Sequence, residues 1–197
     1  LINDAALKAY VGLESLKSIK ALDELLGVIS LSANRQTLDL LAKAISAEDV
    51  FITEIEEESD EYNLIKKTGE DKKVSLYLPE KVSAFGSSEE NFSFYKVSLF
   101  HQIGFFEFGC VSEIVKITYQ ISTFRDNNLA RFVFMALESA RIDWRLKEKY
   151  PGLSKQIDNQ RKYELFSRPK IDLGRNVDLL ELINQVSLGL PRSSISN

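Results

Sequence analysis

This sequence of 197 residues contains one cysteine, one histidine, one tryptophan, one methionine and four prolines. A single cysteine, Cys110, excludes an intrachain disulfide and any zinc site built from several thiolates, and a lone thiol suits a reducing compartment. A single histidine, His101, excludes any metal site that needs two histidines from this chain. No apolar run reaches the roughly 18 residues of a membrane-spanning helix. Nor does the N-terminus follow a signal-peptide pattern, because Asp4, Lys8 and Glu14 interrupt its apolar residues. A cytoplasmic location is the expectation. A basic stripe is lacking too. The formal net charge is −4 and the pI about 5.2. The short basic groups Lys66-Lys67 and Lys72-Lys73 stand beside acidic residues, so no nucleic-acid partner is expected. The chain opens on Leu1 rather than Met, and it is expected to be a piece of a longer protein.

What is present is an ordinary globular composition, 44% hydrophobic and 27% charged, with enough chain to bury a core without disulfides or metal. Helical periodicity dominates. Leu7, Tyr10, Val11, Leu22, Leu25 and Leu26 recur at helical spacing behind an Asn3 or Asp4 cap, with Gly12 and Gly27 as weak points. A second helix is predicted from about Asn34 through Leu38, Leu41 and Ile45. Residues 1–48 then form a helical hairpin. Val74, Leu76 and Leu78 alternate with polar neighbours as in a half-buried strand. Pro79 ends it, and Phe51-Ile52-Thr53 is its candidate partner.

After a loop over 83–90, a very apolar helix is predicted behind Asn91 or Ser93. It carries Phe94, Val97, Phe100, Ile103 and Phe105, and ends near Gly109. Another helix opens at Asp126 or Asn127 and stops before Pro151. A polar helix follows from Ser154, and a last one runs behind Asn176 to Gly189. The expected fold is mainly α: a helical bundle with a small β element around residues 50–79. Its parts are a hairpin (1–48), an acidic loop with the β element (49–90) and a helical core (91–190), together one domain over 1–191. Residues 192–197 make a polar tail.

Glu54, Glu56, Glu57, Glu58, Asp60 and Glu61 form an acidic stretch. Blocks of like charge usually stay in water, and this one is also a candidate electrostatic docking patch. Two further segments could carry chemistry. One is His101-Gln102-Ile103-Gly104-Phe105-Phe106-Glu107-Phe108. The other is Leu137-Glu138-Ser139-Ala140-Arg141-Ile142-Asp143. On a helix, positions 101 and 105 share a face, as in a His-Glu-x-x-His zinc peptidase. Here Gln102 replaces the base, Phe105 replaces the second ligand, and Glu138 stands where a downstream glutamate ligand would be. The site is a defaced layout rather than a working one. The preferred reading of His101, Gln102, Glu107, Glu138, Arg141 and Asp143 is a structural polar cluster, with His101 buried against Glu138 or Arg141 and fixing how two helices dock. No phosphate-binding glycine loop and no dinucleotide fingerprint occurs, and no catalytic, cofactor-binding or metal-ligating residue is assigned.

Tyr77-Leu78-Pro79, Tyr95-Lys96, the His101–Gly109 block, the Leu137–Asp143 block and Tyr150-Pro151-Gly152-Leu153 together resemble the CbbO/NorD family over roughly residues 74–153. The resemblance implies a helical N-terminal region that precedes a variable linker and a C-terminal von Willebrand factor A domain. It implies a partner, a hexameric MoxR-type AAA+ ATPase of the CbbQ/NorQ kind. It also implies a client to be remodelled: rubisco carrying inhibitory sugar phosphates in one branch, nitric oxide reductase during maturation in the other. The rubisco branch, that of a rubisco activase accessory subunit, is slightly favoured. The A domain's metal-dependent adhesion site needs Asp-x-Ser-x-Ser, which these 197 residues do not contain. The implied role is a non-catalytic adaptor without a cofactor of its own. The alternatives are a degenerate zincin-like metallohydrolase and an unrelated helical interaction module.

Overall fold

The computed structural model describes residues 18, 21–23, 26–46, 49–55, 67–68, 73–169 and 179–189. It is mainly helical with a small β element, as the periodicities predict. Of the first predicted helix, nearly everything lies outside the described residues. So do Glu56, Glu57, Glu58, Asp60 and Glu61 of the acidic stretch, the 69–72 turn, the Asn176 cap and the 192–197 tail. The chain divides into two compact units, Leu1–Leu99 and Phe100–Asn197.

In the first unit, β1 (Ile29–Ser30) leads directly into α1 (Leu31–Ile45). The helix begins about three residues earlier than predicted, with Ser30 as its cap. Its hydroxyl accepts from the Ala33 N–H at 3.3 Å, which satisfies one of the free donors of the first turn. Leu31, Leu38 and Ala42 point inward. Strand β2 (Val50–Glu54) pairs with β4 (Lys73–Leu78), and β3 (Lys67–Thr68) pairs with the other edge of β4. Thus the predicted pairing of Phe51-Ile52-Thr53 with the Val74–Leu78 strand is present, and it is parallel, with Val50 opposite Val74 and Ile52 opposite Leu76. β4 is the central strand and is covered on both faces. Val74, Leu76 and Leu78 are fully buried, and so is Ser75. Arg35 of α1 reaches the edge of β2 and donates to the Ile52 carbonyl at 2.8 Å. A second, two-stranded sheet joins β1 to β5 (Lys81–Val82). The β element therefore extends beyond the predicted 50–79.

Helix α2 (Ser88–Glu107) starts within the segment predicted as a loop. Ser87 is its cap, and its hydroxyl accepts from the Glu90 N–H at 3.3 Å. Asn91, predicted as the cap, is instead buried inside the first unit. Its amide donates to the Gly27 carbonyl (2.8 Å) and the Phe85 carbonyl (3.0 Å), and its oxygen accepts from the Phe85 N–H (2.9 Å). Gly27 has φ +65°, and a Cβ there would stand 2.9 Å from the backbone of Ser87 and Ser88, so only glycine fits this approach. One turn further on, buried Tyr95 donates from its hydroxyl to the carbonyls of Pro79 (2.9 Å) and Glu80 (3.0 Å).

In the second unit a helix absent from the sequence reading, α3 (Ile114–Ser122), precedes α4 (Asn127–Lys149). Asp126 caps α4 as predicted, accepting from the Leu129 N–H at 2.9 Å. The chain then makes a 3₁₀ turn (Pro151–Leu153), followed by α5 (Ser154–Ser167) and α6 (Leu179–Ser187). α4 is the hub and contacts α3, the turn, α5 and α6. Phe100, Ile103 and Phe105 of α2 are buried, as are Ile142 and Leu146 of α4, Leu153 and Ile157. Among the described residues no helix is long and apolar enough to cross a membrane.

Candidate functional site

The two blocks singled out in the sequence meet in the second unit. The end of α2 crosses α4, and Gly104 faces Ile142. A Cβ on Gly104 would lie 2.6 Å from Ile142 Cγ2, so this glycine sets the closeness of the crossing. One turn earlier on α2, His101 Nδ1 stands 2.8 Å from Asp143 Oδ1. Arg161 of α5 approaches the other carboxylate oxygen at 3.5 Å and donates to the Ser187 carbonyl of α6. Asp143 therefore links α4 to α2 and α5, and Arg161 carries the link to α6.

Just past the end of α2, the Phe108 carbonyl accepts from Arg141 Nη2 at 3.1 Å. Arg141 also grips Glu138 with two parallel bonds, Nε to Oε2 at 2.7 Å and Nη2 to Oε1 at 2.5 Å. A bidentate fork of this kind is among the stronger side-chain pairs. The Glu138 carboxylate is nearly buried, with 10% of the side chain exposed. Cys110 lies against it. Burial, and then the charge of Glu138 and a hydrogen bond to it, push the Cys110 thiol up to about 11. A thiol so placed stays protonated and unreactive at neutral pH. Glu107 pairs with Lys149, and Gln102 is half-buried.

The expected cluster is thus two clusters, and His101 pairs with Asp143 rather than with Glu138 or Arg141. The reason is helical geometry. Positions 138 and 141 stand three apart on one side of α4, whereas 138 and 143 are separated by about 140° around the axis. One side of the 101–108 segment meets both, at His101 and at Phe108, about two turns apart. The zincin-like layout is not assembled either. The Phe105 ring lies edge-on to His101, with centroids 5.4 Å apart, and Glu138 is held by Arg141. Among the described residues no group of three or more His, Cys, Asp or Glu side chains is placed to hold a metal ion.

The remaining segments of the resemblance are also joined in pairs. The Pro79 carbonyl accepts from Tyr95. Tyr150 packs edge-on against Phe100 with centroids 5.1 Å apart, and Leu153 is buried beyond it. Of the docking patch, Glu54 is described. It is exposed and 3.8 Å from Arg35. Sequence reasoning missed Asn91, the Tyr95 hydroxyl and Arg161 as organising groups. Asn91 follows Ser87-Ser88-Glu89-Glu90 and reads as one more polar residue at a helix start, and Arg161 sits in a polar helix, so nothing in the sequence marks either. No family model, curated protein or solved structure matches this chain.

Proposed function

We propose that this chain is a non-catalytic adaptor domain of the CbbO/NorD kind. It docks onto a MoxR-type AAA+ ATPase hexamer of the CbbQ/NorQ type, so that the complex can remodel a client. The observation that supports this reading is the fate of the residues that carry the resemblance. They pair with one another: Pro79 with Tyr95, Phe100 with Tyr150, His101 with Asp143, Gly104 with Ile142, and Phe108 with Arg141. Such pairs hold segments of the chain against one another. An adaptor needs a rigid frame that presents surfaces, and these residues build a frame.

Inhibited rubisco is the favoured client, with client recognition lying in an A domain outside these residues. Nitric oxide reductase is the client under the NorD-type alternative. One observation favours a second reading, a degenerate metallohydrolase. His101 is oriented through Nδ1 by a carboxylate, as metal-bound histidines commonly are.

The test is co-elution of the chain with a CbbQ/NorQ-type hexamer on a sizing column, with the ATPase rate recorded alongside. Co-elution with a changed rate is expected. Absence of both would remove ATPase docking from these residues. Stoichiometric zinc that is lost on His101→Ala would favour the hydrolase reading.

A further inference from the structure

Helix α6 sits with its polar side inward. A surface helix ordinarily turns its apolar residues to the core and its polar ones to water. In α6 the one buried residue is Gln185. Leu179 is 53% exposed and Val186 51%, and Leu182 and Ile183 are half-buried. These four apolar residues share a side about 100° wide, and Glu181 and Gln185 centre about 130° away from it.

Polar groups tie that inner side to α5 and to the residues just past it. Gln185 donates from Nε2 to the Pro169 carbonyl and to Glu181 Oε1, both at 2.7 Å. Arg168, the C-cap of α5, holds Glu181 through Nη1 and Glu164 through Nη2, each at 3.0 Å. The Glu181 side chain is 17% exposed, so this pair is partly shielded from water. Near the other end of α6, Arg161 donates to the Ser187 carbonyl. The clasp therefore takes α6 at both ends.

A helix of nine residues does not persist alone in water. Its attachment keeps α6 helical, and with the apolar side largely in water that attachment rests mainly on the clasp. Charged hydrogen bonds weaken when salt screens them, whereas apolar burial has no charge to screen.

We propose that α6 is a releasable strap. Arg161, Arg168 and Gln185 hold it closed, and loosening them opens α6 alone while α4 and α5 stay folded. The strap belongs to this chain's own helices and is independent of which motor or client the chain serves.

The test is hydrogen exchange of the whole chain, read peptide by peptide with mass spectrometry. At about 0.01 M sodium chloride the α6 amides should be protected. At about 1 M the screening length falls from about 30 Å to about 3 Å, and they should exchange roughly tenfold faster, while peptides from α4 and α5 keep their rates. Arg168→Gln should speed α6 exchange roughly tenfold at low salt and remove most of its response to salt. Leu179→Gln, on the exposed side, should change the rate by no more than about twofold. The salt series uses the unaltered chain, so it decides even if Arg168→Gln fails to fold. A salt-independent rate in α6 overturns the proposal. So does a Leu179→Gln effect as large as that of Arg168→Gln, because the hold is then apolar. Opening of α4 together with α6, or an α6 without protection at low salt, overturns it as well.

Discussion

Gly104→Ala tests the helix crossing directly. In an isolated helix the change is favourable, since alanine exceeds glycine in helix propensity by about 0.8–1.0 kcal/mol. Here the new methyl would lie 2.6 Å from Ile142 Cγ2 and 3.4 Å from the Phe108 ring. Ile142 has no exposed surface, and its Cγ2 is bonded to Cβ, so it cannot swing away like the end of a long side chain. Overpacking of this kind costs about 1–3 kcal/mol. The net expectation is a loss of about 1 kcal/mol, read by urea unfolding of the pure protein. The diagnostic step is the same substitution in an Ile142→Ala background, where the obstructing methyl is gone. Gly104→Ala should there become stabilising by up to about 1 kcal/mol. A stabilising effect in the wild-type background, or no reversal of sign between backgrounds, would refute the idea that Gly104 is present to let α2 and α4 approach.

Asn91→Ala removes three hydrogen bonds to the backbone of Gly27 and Phe85, and orphaned buried groups cost about 1–3 kcal/mol each. A loss of at least about 2 kcal/mol is expected in denaturant titrations, and a loss below about 0.5 kcal/mol would contradict the bridging role. Asp143→Ala should destabilise by about 1–3 kcal/mol, because His101 and Arg161 both lose their carboxylate; an unchanged melting temperature would remove it as a link between helices. Cys110 should react slowly with iodoacetamide in the native protein at pH 8 and quickly once unfolded, and Glu138→Gln should speed the native reaction. The folded thiol titrates near 11 rather than near 9. It keeps its proton where the unfolded thiol has lost it, so stability should fall as pH rises between about 9 and 11. That slope should shrink in Cys110→Ala; an equal slope in both proteins would show that the thiol is not perturbed.

Helices with a short polar cap ahead of a long apolar period were legible. Asp126 and the Pro151 stop mark α4 plainly. α3 was not, because Ile114, Val115, Ile117, Thr118 and Ile121 are β-branched and suit a strand as well as a helix, so packing decides. The direction of the β2–β4 pairing was equally hidden, since alternation has the same period in parallel and antiparallel sheets. The two-residue strands β1, β3 and β5 are too short to show any period. At the candidate site, the residues were visible from composition and spacing, but their partners were not. Which carboxylate His101 meets depends on how two helices are rotated against each other, and a single sequence carries no measure of that rotation.

The parallel pairing of β2 with β4 has a consequence for synthesis. Val50 must wait for Val74, about 24 residues later in the chain, and a ribosome adding about 5–20 residues per second takes roughly one to five seconds over that stretch. During this interval Val50-Phe51-Ile52-Thr53 is an apolar, β-prone edge with no partner, open to strands of neighbouring nascent chains. The residues that emerge directly behind it are Glu54 and then Glu56, Glu57, Glu58, Asp60 and Glu61. Mutual repulsion among such charges opposes strand stacking between chains. Whatever else the acidic stretch meets, it is placed to act as a gatekeeper while the sheet is incomplete.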